Sequence, residues 1–160
     1  AKEQVKNVSE VVREGIQDVR GSLNRLRPGA LEGRTLKDAL EKMIREYQTL
    51  SNLQVDLHYE WVDVDMDVMI EDTIFRVIQE SMTNAVRHGH ASHMDLHFFE
   101  DEEDYLIELQ DNGVGFETLT YGYGLKQMME RISILGGQLQ FESRDGFFTR
   151  VSLPKYKEGR

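Results

Sequence analysis

The chain has 160 residues, 39% of them hydrophobic, a formal net charge of -10 and a sequence pI near 5.0. That length suits one medium core, and the acidic balance argues against nucleic acid as the main partner, because phosphate backbones demand clustered Lys and Arg. There is no cysteine, which excludes disulfides and thiolate zinc sites, and no apolar run approaches the ~20 residues that span a bilayer.

From Lys2 to Arg27 the chain carries no proline. Val5, Val12, Val19 and Leu26 recur every seven residues, and Val8, Ile16 and Leu23 widen the stripe. This is the seam of a bundle or coiled-coil helix, stopped by Pro28-Gly29. A repeat already running at Val5 reads as part of something longer. Residues 29–34 form a linker, 35–155 a single folded domain, and 156–160 a tail.

Within that domain, Thr35 caps a helix running to Leu50, with Asp38 three residues on. Gln54 to Trp61 alternates strictly and reads as a half-buried strand. Asp67 to Gly89 is the longest helix, with Ile70, Ile74, Val77, Ile78, Met82 and Ala85 on its buried face. Two strands follow, around Met94–Phe98 and Tyr105–Leu109, joined by the acidic turn Asp101-Glu102-Glu103-Asp104. Gly113 to Gly124 is a loop. Leu125 opens an amphipathic helix ended by Gly136-Gly137. The last two strands, around Leu139–Phe141 and Phe147–Leu153, are joined by Asp145-Gly146. The order predicts an α+β two-layer sandwich, with a mixed sheet and helices on one face, preceded by a long bundle helix.

Chemistry concentrates in three places. Glu80, Asn84, Arg87 and His88 share one row of the long helix, opposite its apolar stripe. The Asn84 amide oxygen suits a hard ion such as Mg²⁺. Glu80, one turn earlier, can hold a metal-bound water or accept a proton, and Arg87 and His88 can meet phosphate oxygens. Asp111 ends a strand and is followed by Gly113 and Gly115, so backbone can approach a flat ligand while the carboxylate accepts from an exocyclic amine, of adenine or of guanine. Gly122 and Gly124 lead into the Leu125 helix, where free N–H groups suit phosphate. Neither a Walker loop nor a dinucleotide fingerprint is present. His90, His93 and His97 read as surface or strand-face residues, and the five histidines show no metal-site spacing.

These motifs resemble a known family. Gln79-Glu80-Ser81-Met82-Thr83-Asn84-Ala85-Val86-Arg87-His88 looks like the asparagine box of bacterial sensor histidine kinases. Asp111 to Phe116 looks like their first glycine box. Gly122-Tyr123-Gly124-Leu125, running into Met129-Glu130-Arg131 and Gly136-Gly137, looks like the second, and Thr149 to Pro154 like the last strand. The resemblance covers Leu31 to Pro154 and extends weakly back through Val19-Arg20 and Leu26-Arg27-Pro28, which look like the end of a second dimerisation helix. Thr-Asn followed by His marks the subgroup that often pairs with helix-turn-helix response regulators. The family commonly has Gly before the last-strand Thr, and here Phe148 stands in that place.

The resemblance implies the Bergerat (GHKL) sandwich shared with gyrase, HSP90 and MutL ATPases. It implies ATP and Mg²⁺ as ligands, Asn84 on Mg²⁺, Glu80 as the catalytic acid/base, and Asp111 on adenine with Thr149 beside it. Gly113, Gly115, Gly122, Gly124 and Leu125 would shape the pocket and its lid. The phosphoacceptor His would lie on a helix absent here, since all five histidines fall at or after His58. Other expected partners are a response regulator and, in the full-length protein, a second protomer. The expected location is cytoplasmic, with a membrane anchor possible further upstream. Two other readings stay open: a serine kinase of the anti-sigma type or an ATPase on the same fold, and a non-catalytic nucleotide-gated interaction module.

Overall fold

A computed structural model describes residues 31, 33–116 and 122–155. The expected heptad helix, the expected tail and the centre of the glycine loop lie outside the described residues. Among the described residues three helices and five strands follow in the order α1 (Leu36–Leu50), β1 (Gln54–Tyr59), α2 (Val68–Arg87), β2 (His93–Glu100), β3 (Asp104–Asp111), α3 (Tyr123–Ile134), β4 (Gln138–Ser143) and β5 (Phe147–Pro154).

The sheet order is β1-β2-β3-β5-β4. β1 and β2 run parallel because α2 carries the chain back across the sheet. The other neighbours are antiparallel. The Asp101 turn joins β2 to β3: its Oδ1 accepts from the N–H groups of Glu103 and Asp104 at 2.8 and 2.7 Å. Those two bonds hold the Asp101 carboxyl below the usual carboxylate range.

Strand alternation sorts the side chains between the two faces. Val55, Met94, Leu96, Phe98, Ile107, Leu109, Val151 and Leu153 are buried on one face. Against them pack Leu36, Leu40, Met43 and Tyr47 of α1, Ile74, Val77, Ile78 and Met82 of α2, and Met128 and Ile132 of α3. The opposite face carries His93, Asp95, His97, Glu108 and Arg150. This is the two-layer arrangement with helices on one face that the sequence predicts.

Local chemistry sets the helix ends. Thr35 Oγ1 accepts the Asp38 N–H at 3.1 Å, and Asp67 Oδ1 accepts that of Met69 at 2.8 Å, both N-caps. β1 stops at Tyr59, two residues short of the alternating stretch. Trp61 leaves the ladder and still buries its ring against Tyr59, Phe98 and Tyr105, while its indole N–H donates to the Phe99 carbonyl. α3 begins at Tyr123 rather than Leu125, so Gly124 lies inside its first turn and Gly122 is its N-cap, without a side-chain cap.

Candidate functional site

A cavity of about 490 Å³ opens between α2, the start of α3 and the ends of β3 and β5. Glu80, Asn84, Arg87 and His88 line it from α2. Asp111 and Thr149 line it from the sheet. Gly115, Gly122, Gly124 and Leu125 close the remaining side. The cavity is formed because helix and sheet diverge here: Met94, Leu109 and Thr149, on the helix-facing side of the strands, floor it instead of being covered by α3. A cavity of this size and mixed lining suits a small organic ligand.

Asp111 is 5% exposed. Its Oδ1 accepts two backbone N–H groups, from Gly113 at 2.8 Å and Phe147 at 3.0 Å. Among the described residues no donor reaches Oδ2. One oxygen is thus fixed by the chain, and the other is left on the cavity wall for a ligand donor. Neighbouring loops depend on the same point. Asn112 Oδ1 accepts the N–H groups of Ser92 and His93 at 2.9 and 3.0 Å, tying the end of β3 to the start of β2.

The predicted glycines divide by environment. Gly113 does not line the cavity. A Cβ there would overlap the backbone of Gly89, and Val114 N–H donates to the Gly89 carbonyl at 2.9 Å. Its demand for glycine is the close packing of the loop on the end of α2. Gly115 has φ +66°, and a Cβ would meet Ser143 Oγ at 2.5 Å and the Gly146 carbonyl at 2.7 Å, so both conformation and space require glycine. Gly124 lies against α2: a Cβ would overlap Glu80 Oε1. Gly122 is exposed, with nothing within 4 Å of a Cβ position. The loop residues between Phe116 and Gly122 lie outside the described residues, and with them the centre of the expected lid.

Phe148 does not disturb the last strand. It pairs with Gln110 and Glu142 in regular register, and its ring turns to the outer face under the Arg144 guanidinium at 4.3 Å. Thr149 therefore stays on the cavity side, opposite Leu109, and is 3% exposed.

Several lining residues escape the sequence reading. Ser81, Phe116, Gln127, Met128 and Phe147 also line the cavity. Phe147 contacts Phe116 and Phe141, with ring centroids 5.1 and 5.5 Å apart, and makes an aromatic wall beside Asp111. Strand parity is the signal that could have found Met94, Leu109 and Phe147, since they share the face of Asp111 and Thr149.

Comparisons with known proteins assign the family. Residues 69–157 match the family described as histidine kinase-, DNA gyrase B- and HSP90-like ATPases. This chain belongs to that ATPase family. It is 35% identical over 147 residues to the signal transduction histidine-protein kinase/phosphatase UhpB of Salmonella typhimurium, covering 88% of this chain and 29% of that protein. It is 32% identical over 153 residues to the sensor histidine kinase YxjM of Bacillus subtilis, covering 94% of this chain and 37% of that protein. The chain thus spans about a third of the length of these curated relatives, and they place it among the ATP-binding domains of bacterial two-component sensor histidine kinases. The fold is also that of the blue-light activated histidine kinase of Erythrobacter litoralis, at a TM-score of 0.71 and 18% identity over 96% of this chain and 59% of the other. Among the described residues no helix is long and apolar enough to cross a membrane.

Proposed function

We propose that this chain binds Mg·ATP and supplies the catalytic half of a protein-histidine kinase, passing the γ-phosphoryl group to a histidine on a helix outside this chain. The observation that carries the reading is the convergence of the polar row of α2 and the open oxygen of Asp111 on one cavity.

Each residue has a task that its position suits. Asp111 accepts the exocyclic amine of adenine through Oδ2, with Thr149 at its side and the Phe147 and Phe116 rings against the base. Arg87 and His88 sit at the C-terminal end of α2 and meet phosphate oxygens. Asn84 is half-buried on the cavity wall, and its amide oxygen fits a hard ion that takes few protein ligands. Mg²⁺ bound there supplies neutralisation of charge developing on the phosphates. Glu80 stands one turn earlier, beside the first turn of α3, and is the acid/base group that takes the proton of the attacking imidazole. Positioning contributes most of the acceleration, as in phosphoryl transfer generally.

The acceptor histidine, a second protomer and a response-regulator aspartate complete the relay in this proposal. No histidine precedes His58, and the five present fall inside the ATPase domain, which supports an acceptor on another helix. A cytoplasmic setting, where ATP is available, belongs to the same reading.

Calorimetry with Mg·ATP tests the binding half. Asn84→Asp is expected to weaken Mg·ATP binding with the fold intact, and unchanged affinity would remove the metal role from Asn84. Radiolabelled ATP tests the transfer half. The chain alone should gain no acid-labile label, and an added acceptor helix should gain it. Acid-labile label on this chain alone would overturn the assignment of the acceptor.

A further inference from the structure

On the face of the sheet away from the nucleotide cavity, β1 and β2 bring together side chains that are distant along the chain. Asp56 and Asp95 are direct partners in the parallel ladder, so two carboxylates stand side by side on one face. Like charges in that relation destabilise a sheet. The His93 ring lies between them: Nε2 is 3.2 Å from Asp56 Oδ2 and 3.2 Å from Asp95 Oδ1. A fourth group approaches from β1, with His58 Nε2 4.0 Å from Asp95 Oδ1.

Nε2 carries at most one hydrogen, which the two carboxylates share. A cation placed among the three atoms serves them all. Ligand atoms on a tetrahedral ion with bonds of about 2.0–2.1 Å stand about 3.3 Å apart, close to both nitrogen–oxygen separations here. The Asp56, His93 and Asp95 ligand atoms all lie within 4.8 Å of one another.

We propose that Asp56, His93 and Asp95 bind a divalent transition-metal ion of the zinc class, with His58 or water in the fourth position. An imidazole nitrogen among the donors selects Zn²⁺, Ni²⁺ or Cu²⁺ over Mg²⁺ and Ca²⁺. The chain's net charge of -10 favours cation uptake. The site is separate from the proposed Mg²⁺ position, because His93 and Asp95 face away from the cavity that Met94 helps to floor. Its effect is to staple the edge strand β1 through its parallel ladder with β2, which α2 rather than a hairpin connects, and so to raise the stability of the sheet without touching the nucleotide.

The test is calorimetric titration of untagged, chelator-treated protein with Zn²⁺. One saturable site is expected, with affinity falling at least on the order of tenfold in His93→Gln and in Asp95→Asn and unchanged in Glu80→Gln. The melting temperature should rise with Zn²⁺ in the parent chain and not in His93→Gln, and excess Mg²⁺ should not displace the ion. Asp95→Asn removes one of two opposed charges and is expected to fold at least as well as the parent. NMR of the parent protein's histidine rings gives an independent reading: the His93 Nε2 resonance should shift on Zn²⁺ addition. Absence of saturable binding, affinity that is equal in the parent and both variants, or loss of binding in Glu80→Gln instead would overturn the proposal.

Discussion

The two ends of the cavity are built differently. At the sheet end, Asp111 is buried and one of its oxygens is held by two backbone N–H groups, while Gly113 is packed on the backbone of Gly89. At the helix end, the residues that face the phosphates in the proposed reading stand half-buried or exposed on α2, and Gly122 begins α3 with no side-chain cap and no neighbour near its Cβ position. In the proposed reading the base-binding end is thus fixed before a ligand arrives, and the opposite end is open to be completed by one. Rigid placement favours selectivity, because a preorganised polar group loses little on binding and penalises a wrong partner strongly.

The largest effect should come from breaking the fixed end. Asn in place of Asp111 keeps an oxygen for the Gly113 and Phe147 N–H groups but sets an amide N–H₂ where Oδ2 stood. Donor then faces donor, and ATP affinity should fall by on the order of 100-fold. The melting temperature should stay within a few degrees, and calorimetry with thermal unfolding reads both. A large loss of stability would mean that Asp111 serves the fold before it serves a ligand.

The open end should respond in rate rather than in binding. Glu80→Gln is expected to slow transfer to a supplied acceptor helix by roughly 10–100-fold, with ATP affinity within about twofold. Gly124→Ala sharpens the point, since its methyl group must displace the Glu80 carboxylate, and it should slow transfer in the same direction by a smaller factor. Single-turnover labelling checks both, and equal rates in Glu80→Gln and the parent would take the acid/base role away from Glu80.

The glycines give the smallest and cleanest contrast. Gly113→Ala should cost about 1–3 kcal/mol of stability, as overpacking does, although this glycine does not line the cavity. Gly122→Ala, in open space, should change stability by less than about 0.5 kcal/mol. Denaturant unfolding of the two variants measures the difference, and similar losses would contradict the packing assigned to Gly113.

Much of this arrangement was legible in the sequence because it is local. The row Glu80-Asn84-Arg87-His88 follows from helical spacing. The alternation in β2, β3 and β5 places Met94, Leu109 and Thr149 on one face. The Asp101 and Asp145-Gly146 turns carry their own chemistry. What was not legible depends on tertiary contact. Nothing near Gly113 announces that its neighbour is Gly89, or that Gly115 must clear Ser143 and Gly146. The Asp111 oxygen bonds to Phe147, which comes from a strand formed much later in the chain. Phe148 stands where the family commonly has Gly, and only the fold shows that its ring finds cover under Arg144 on the outer face. The cluster of Asp56, His93 and Asp95 was invisible for the same reason, because the whole of α2 separates strands that lie side by side.

The central claim is that the cavity is an adenine-nucleotide site read by Asp111. It is tested most directly by calorimetric titration of the parent chain and Asp111→Asn with ATP and with GTP, each in Mg²⁺. The parent should bind ATP at least about tenfold more tightly than GTP, as expected for a buried polar contact left unpaired by the wrong base, and the variant should lose that preference. Equal affinity of the parent for the two nucleotides, or a preference for ATP that survives in Asp111→Asn, would contradict the account.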